Sequence, residues 1–189
     1  AIFAAASETF TRRNINQSIA EPLASYAPVC QEARGVGLPV RGYLSLAFGC
    51  PFEGPVPATD VADLSAPLID MGSYEVGVRG TIGIAHPRQL AEVVGAVAKR
   101  IPIDRIALHL HDTRGTALVN VYAGLEAGVT TSDSSAGGLG GCPYAPGATG
   151  NLATEDLLYM LDGLGIETGV RLDRVIDASR AMEPLVGHL

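Results

Sequence analysis

The sequence predicts a parallel α/β fold, and three observations carry that expectation. Short apolar runs recur with nonpolar residues at successive positions, as in strands buried on both faces. Stretches of helical periodicity lie between them. The strand–helix pair repeats at intervals of roughly 30 residues, the rhythm of βα units.

In chain order, 1–5 is the first expected strand and 16–34 the first helix, with Pro28 in its interior. The second strand falls at 40–48, and a helix over 57–70 carries Pro67. An interior proline removes a helix hydrogen bond at a cost of about 3 kcal/mol, so these two helices are either kinked or weakly constrained. The third strand is 74–78. The helix at 86–100 is the most regular: Pro87 opens it, Leu90, Val93, Val94 and Val97 share a face, and Lys99 and Arg100 close it. The fourth strand is 106–110, followed by a helix over 114–127 and a fifth strand at 129–132. Asn151 or Thr154 is the expected cap of a helix over 153–163, with Glu155 and Asp156 in its first turn. A last helix covers 172–186. Two architectures share this rhythm: an open doubly wound sheet and an arc of a (β/α)8 barrel. Periodicity alone leaves both open.

Composition narrows the function. The chain has 189 residues, 47 % hydrophobic and 17 % charged, which fits one globular domain over 1–189. A net charge of −7 argues against nucleic acid or an anionic membrane as the main partner. Every apolar stretch is broken too early to span a bilayer, and the first residues do not read as a signal peptide. Three cysteines without a C-x-x-C pair suit a reducing cytoplasm rather than a disulfide framework.

Two segments bear chemistry. His109-Leu110-His111-Asp112 ends the fourth strand, and residues i and i+2 of a strand share a face, so both imidazoles aim at one point. At the carboxyl end of a parallel strand they are either ligands of one divalent cation or hydrogen-bonded structural histidines. The glycine-rich segment 136–151 follows the fifth strand. It lacks the Gly-Lys-Ser/Thr of a P-loop and the third glycine of a dinucleotide fingerprint. Cys142 within it is a proton donor, a nucleophile or an inert small side chain. Glu75 faces a barrel interior or pairs with a cation, His86 is a surface or capping residue, and Cys50 packs in a turn.

Together these segments resemble the hydroxymethylglutaryl-CoA lyase family. The motifs are Ser7-Glu8-x-Phe10-Thr11-x-x-Asn14-Ile15-Asn16, Arg41-Gly42-Tyr43, Gly49-Cys50-Pro51-Phe52-Glu53-Gly54 and Met71-Gly72-x-Tyr74-Glu75. Thr81-Ile82-Gly83, His109-x-His111-Asp112-Thr113, Asp133-Ser134-Ser135, Gly140-Gly141-Cys142-Pro143-Tyr144-Ala145 and Gly150-Asn151-Leu152-Ala153-Thr154-Glu155-Asp156-Leu157 continue the series.

The resemblance implies a (β/α)8 TIM barrel of which this chain carries strands four to eight, the first three lying outside it. It implies a divalent cation (Mg or Mn) held by His109, His111, Asn151 and a first-strand aspartate not present here. Cys142 and His109 would move protons and Tyr43 would contact an acyl-CoA substrate. The implied reaction is metal-dependent retro-Claisen cleavage of 3-hydroxy-3-methylglutaryl-CoA to acetyl-CoA and acetoacetate, a step of leucine degradation and ketone-body formation. The protein would be cytoplasmic and a homo-oligomer. One departure stands out: the family's aspartate before Thr-Ile-Gly is Gly80 here, and Arg79 precedes it in place of a glycine. That loss of a carboxylate and gain of a cation favours a second expectation for this chain, a catalytically silent barrel piece that binds metal weakly or a partner chain.

Overall fold

A computed structural model describes residues 1–141 and 150–187. Strand β1 (Ile2–Ala5) leads into helices α1 (Glu8–Ile15) and α2 (Ala20–Gly35), then β2 (Val40–Ser45), α3 (Ala58–Asp70) and β3 (Ser73–Gly80). Next come α4 (Pro87–Val97), β4 (Ile106–Leu110), α5 (Ala117–Glu126), β5 (Thr131–Asp133), α6 (Thr154–Gly163) and α7 (Leu172–Val186).

All strand pairs are parallel, and the sheet order is β1-β2-β3-β4-β5. An open doubly wound sheet reverses its strand order at a switch point; a barrel never does. Sequential winding therefore decides what periodicity left open: the chain is a five-stranded arc of a TIM barrel. One face of the arc meets the helices. Leu44, Val76, Val78, Ile106 and Leu108 are buried there against Val61 and Leu68 of α3 and Leu90, Val93 and Val94 of α4. Each such side chain contributes about 1.5–3 kcal/mol by leaving water.

The expected elements recur with three differences. A helix not expected precedes the first expected one: Ser7 caps α1, accepting from the Phe10 amide at 3.1 Å, and Asn16 ends it in a left-handed conformation, φ 56°. Strand β2 stops at Ser45 because Leu46 also turns left-handed, φ 62°. Neither Asn151 nor Thr154 caps α6; Ala153 holds that position, and the Thr154 hydroxyl bonds Ser134 Oγ at 2.9 Å. The interior prolines do not break their helices. The carbonyls that Pro28 and Pro67 leave without a helix donor belong to Ala24 and Asp63, both exposed residues, so they are not carbonyls of the core.

Candidate functional site

The other face of the arc is polar, and strand register builds it. Arg79 of β3 lies in register with His109 of β4, and His109 with Asp133 of β5. Their side chains form a row at the carboxyl ends of three adjacent strands. Nearer the amino ends, Tyr43 is in register with Gly77. A Cβ on Gly77 would lie 2.6 Å from the Tyr43 ring, so only glycine lets that ring lie across β3. Phe3 stacks on Tyr43 at 5.0 Å between centroids.

Arg41 ties the cluster together. Its Nε meets Glu75 Oε1 at 2.8 Å, and its NH1 donates to Asp133 Oδ1 at 2.6 Å and to the Tyr43 hydroxyl at 2.7 Å. The Tyr43 hydroxyl in turn donates to Asp133 Oδ2 at 3.0 Å. His109 Nδ1 meets the same carboxylate oxygen at 3.0 Å, and its Nε2 lies 3.2 Å from Arg79 NH2. A guanidinium only donates, so in this contact Nε2 accepts and the ring proton sits on Nδ1, toward Asp133. Burial pushes the Asp133 carboxyl up, but the bonds from His109 and Arg41 and the charge of Arg41 outweigh it and hold it below the usual aspartate value. For Tyr43, burial first and the Asp133 charge second raise the phenol.

His111 lies beyond this row, its ring 5.5 Å from that of His109. It is buried, and that burial, followed by the charges of His109 and Arg79, pulls its pKa down to about 4. Asn151 is brought beside it by an antiparallel bridge between the two residues, flanked by Asp112 N to Gly150 O at 3.0 Å and Leu152 N to Leu110 O at 3.1 Å. The Asn151 amide nitrogen donates to Leu139 O at 2.9 Å. Cys142 and His188 lie outside the described residues.

Do these residues fit a divalent cation? His111 Nδ1 and Asn151 Oδ1 are buried without a hydrogen-bond partner among the described residues, which suits ligation. His109 does not suit it, because a guanidinium sits on the lone pair a metal would take. Asp133 is already engaged by three donors. No group of three or more His, Cys, Asp or Glu among the described residues is arranged to hold a metal. As arranged, the set does not fit the cation.

Arg41 and Asp133 were not singled out individually in the sequence. The signal was present: a carboxylate ending the last strand and an arginine two residues before Tyr43 on the same face. Glu75 faces the interior and pairs with a cation, His86 caps α4 by accepting from the Gln89 amide at 3.3 Å, and Cys50 is buried in its turn, 3.0 Å from Ser7 Oγ. The loss of a carboxylate at position 80 bears on this face less than the sequence suggests. A Cβ on Gly80 points at Leu110 and Phe48, 3.3 and 3.4 Å away, on the apolar side.

Histidines, a half-buried carboxylate and arginines at the carboxyl edge of an arc of parallel strands lie where barrel enzymes place their active sites. Comparison with known proteins defines the site further. The profile of the HMGL-like family matches residues 1–182, and the chain belongs to that family. It is 51 % identical over 176 residues to the mitochondrial hydroxymethylglutaryl-CoA lyase of Gallus gallus, covering 93 % of this chain and 59 % of that protein. A crystal structure of hydroxymethylglutaryl-CoA lyase from Pseudomonas aeruginosa superposes with a TM-score of 0.96 at 47 % identity, over 99 % of this chain and 62 % of that one. A lyase of the same name from Acinetobacter baumannii, in complex with coenzyme A and 3-methylmalate, superposes at 0.90 with 36 % identity, over 98 % and 61 %. The chain thus spans about three-fifths of the length of these relatives.

Proposed function

We propose that this chain, as one partial-barrel domain over 1–189, carries hydroxymethylglutaryl-CoA lyase chemistry: retro-Claisen cleavage of 3-hydroxy-3-methylglutaryl-CoA to acetyl-CoA and acetoacetate. The observation that supports it most is the Asp133–His109 couple at the carboxyl edge of the arc, 3.0 Å between carboxylate and Nδ1, in a chain of this family. Asp133 orients the imidazole and favours proton uptake at Nε2. His109 is the base: it takes the proton of the tertiary hydroxyl, the C2–C3 bond breaks, and the oxygen becomes the ketone of acetoacetate. The electron pair passes to the thioester as an enolate, which the Cys142 thiol protonates to acetyl-CoA. Tyr43, fixed by Arg41 and stacked on Phe3, forms the floor on which the acyl group rests.

A Mg or Mn ion held by His109, His111 and Asn151 is the cofactor that the family implies. In this chain the atoms suited to it are His111 Nδ1 and Asn151 Oδ1, and no step here is routed through a metal. Family relatives include mitochondrial and cytoplasmic lyases; the free, buried thiols of Cys30 and Cys50 suit a reducing compartment, and the cytoplasm is our assignment. No described helix is long and apolar enough to cross a membrane. A homo-oligomer is the assembly we assign to it.

The test is acetoacetate release from the thioester by the full chain and by Asp133→Asn. Release by the parent, falling about a hundredfold or more in the variant, is the expected result. A parent chain that releases none refutes the reading in favour of a silent barrel piece.

A further inference from the structure

The disagreement between this site and a divalent cation has a specific cause. Arg79 stands in register with His109, half-buried, with its guanidinium 3.2 Å from Nε2. Two aromatic rings fix its position: the guanidinium carbon lies 5.5 Å from the Tyr43 centroid and 5.7 Å from that of Phe3. Glu75 and Asp133 pair with Arg41 at 2.8 and 2.6 Å, so the cluster holds two guanidinium groups. The positive charge at the end of the row is therefore covalently tethered to β3.

We propose that Arg79 is a built-in cation that replaces the metal in this chain, and that the site binds a small hydroxycarboxylate without a divalent ion. A guanidinium presents a planar fork of donors that matches a carboxylate in two parallel bonds. The free acid end of a 3-hydroxyglutaryl thioester supplies such a carboxylate two bonds from its hydroxyl-bearing carbon. When the carboxylate takes the guanidinium, His109 Nε2 is released to accept from the hydroxyl, so one movement both anchors the ligand and frees the base. The same charge repels a metal from the one imidazole it would need, leaving His111 and Asn151 as two donors without a charge between them. The inference deepens the proposed function and rests on that reading only for the choice of probe.

The experiment is calorimetric titration of the full chain with free 3-hydroxy-3-methylglutarate, once in EDTA and once with excess Mn. A second titration uses Mn alone. Arg79→Gly, Arg79→Met and Arg79→Lys are carried alongside, and thermal melts show which of them fold. The parent should bind the anion equally well in EDTA and in Mn, and bind Mn alone at least about tenfold more weakly than Arg79→Gly or Arg79→Met. Those two variants should lose anion binding in EDTA by at least about tenfold, while Arg79→Lys keeps part of it. Anion binding by the parent that requires Mn, or Mn affinity equal in parent and neutral variants, overturns the proposal. The parent comparison needs no variant to fold, so it decides alone if they do not. Metal-free anion binding with no acetoacetate release leaves this inference standing and refutes the proposed function. Mn-dependent binding with acetoacetate release does the reverse.

Discussion

Replacing Arg41 by methionine tests whether the polar face is held together by one side chain. Arg41 bridges Glu75, which is 8 % exposed, and Asp133, whose side chain is 20 % exposed. Methionine keeps the stem and removes the charge, leaving two carboxylates on a half-covered surface without their shared cation. Removing one partner of a buried pair costs about 3–5 kcal/mol, whereas exposed pairs cost less than about 1 kcal/mol. Asp133 keeps the bonds from His109 and Tyr43, so most of the loss falls on Glu75. Arg41→Met should therefore lower stability by about 3 kcal/mol, and Glu75→Gln in the same chain should recover about 2 kcal/mol of it. Urea denaturation of the parent, both single variants and the double variant at pH 7 supplies the full cycle. A coupling energy below about 0.5 kcal/mol would show that Glu75 is served by water as a surface carboxylate is, and the account of Arg41 as the tie would fail.

Three further outcomes follow from the same geometry. His111 titrates near 4 in the folded chain and near 6.5 when unfolded, so protonation favours unfolding; stability should fall as pH drops from about 6.5 toward 4, by up to about 3 kcal/mol, and His111→Gln should flatten that slope in urea titrations above pH 4.5. The depressed Asp133 carboxyl adds its own loss only at lower pH, as the pH falls through its folded value. Gly77→Ala puts a methyl against the Tyr43 ring and should cost about 1–3 kcal/mol while weakening the near-ultraviolet tyrosine dichroism; an unchanged spectrum and stability would contradict the packing. Gly80→Asp should destabilise by about 2 kcal/mol or more and leave Mn affinity unchanged, since its carboxylate meets Leu110 and Phe48; a gain in Mn binding by calorimetry would place that side chain on the wrong face.

The βα rhythm was legible because the helix-facing residues of the central strands pack without polar interruption, as Val76, Val78, Ile106 and Leu108 do; β5, Thr131–Asp133, carries no apolar residue and falls two residues later than its expected start. The barrel winding was not, because strand order is a property of the whole sheet and periodicity reports only local structure. Boundaries failed where one residue adopted a left-handed conformation. Asn16 carries a side chain that tolerates it, but nothing about Leu46 announces it. The i, i+2 histidines were readable from spacing, and the structure sets their rings 5.5 Å apart. Asp133 was harder, since its meaning depends on Arg41, 92 positions earlier in the chain, reaching it across the arc.

Alternation along β3 accounts for the unusual pair at its end. Residues 79 and 80 are neighbours in sequence and opposites in space: one faces the row of His109 and Asp133, the other faces Leu110 and Phe48. The resemblance read from the sequence sets a glycine and an aspartate at the same two positions. The chemical consequence of Arg79-Gly80 therefore comes from position 79, where a guanidinium enters the polar face, far more than from position 80, where no side chain is present. A chain altered only at position 80 would leave the row as it is. Altered at position 79, it keeps the Asp133–His109 couple but changes what can approach His109, turning a place where a cation would dock into one that already holds a positive charge and attracts a carboxylate.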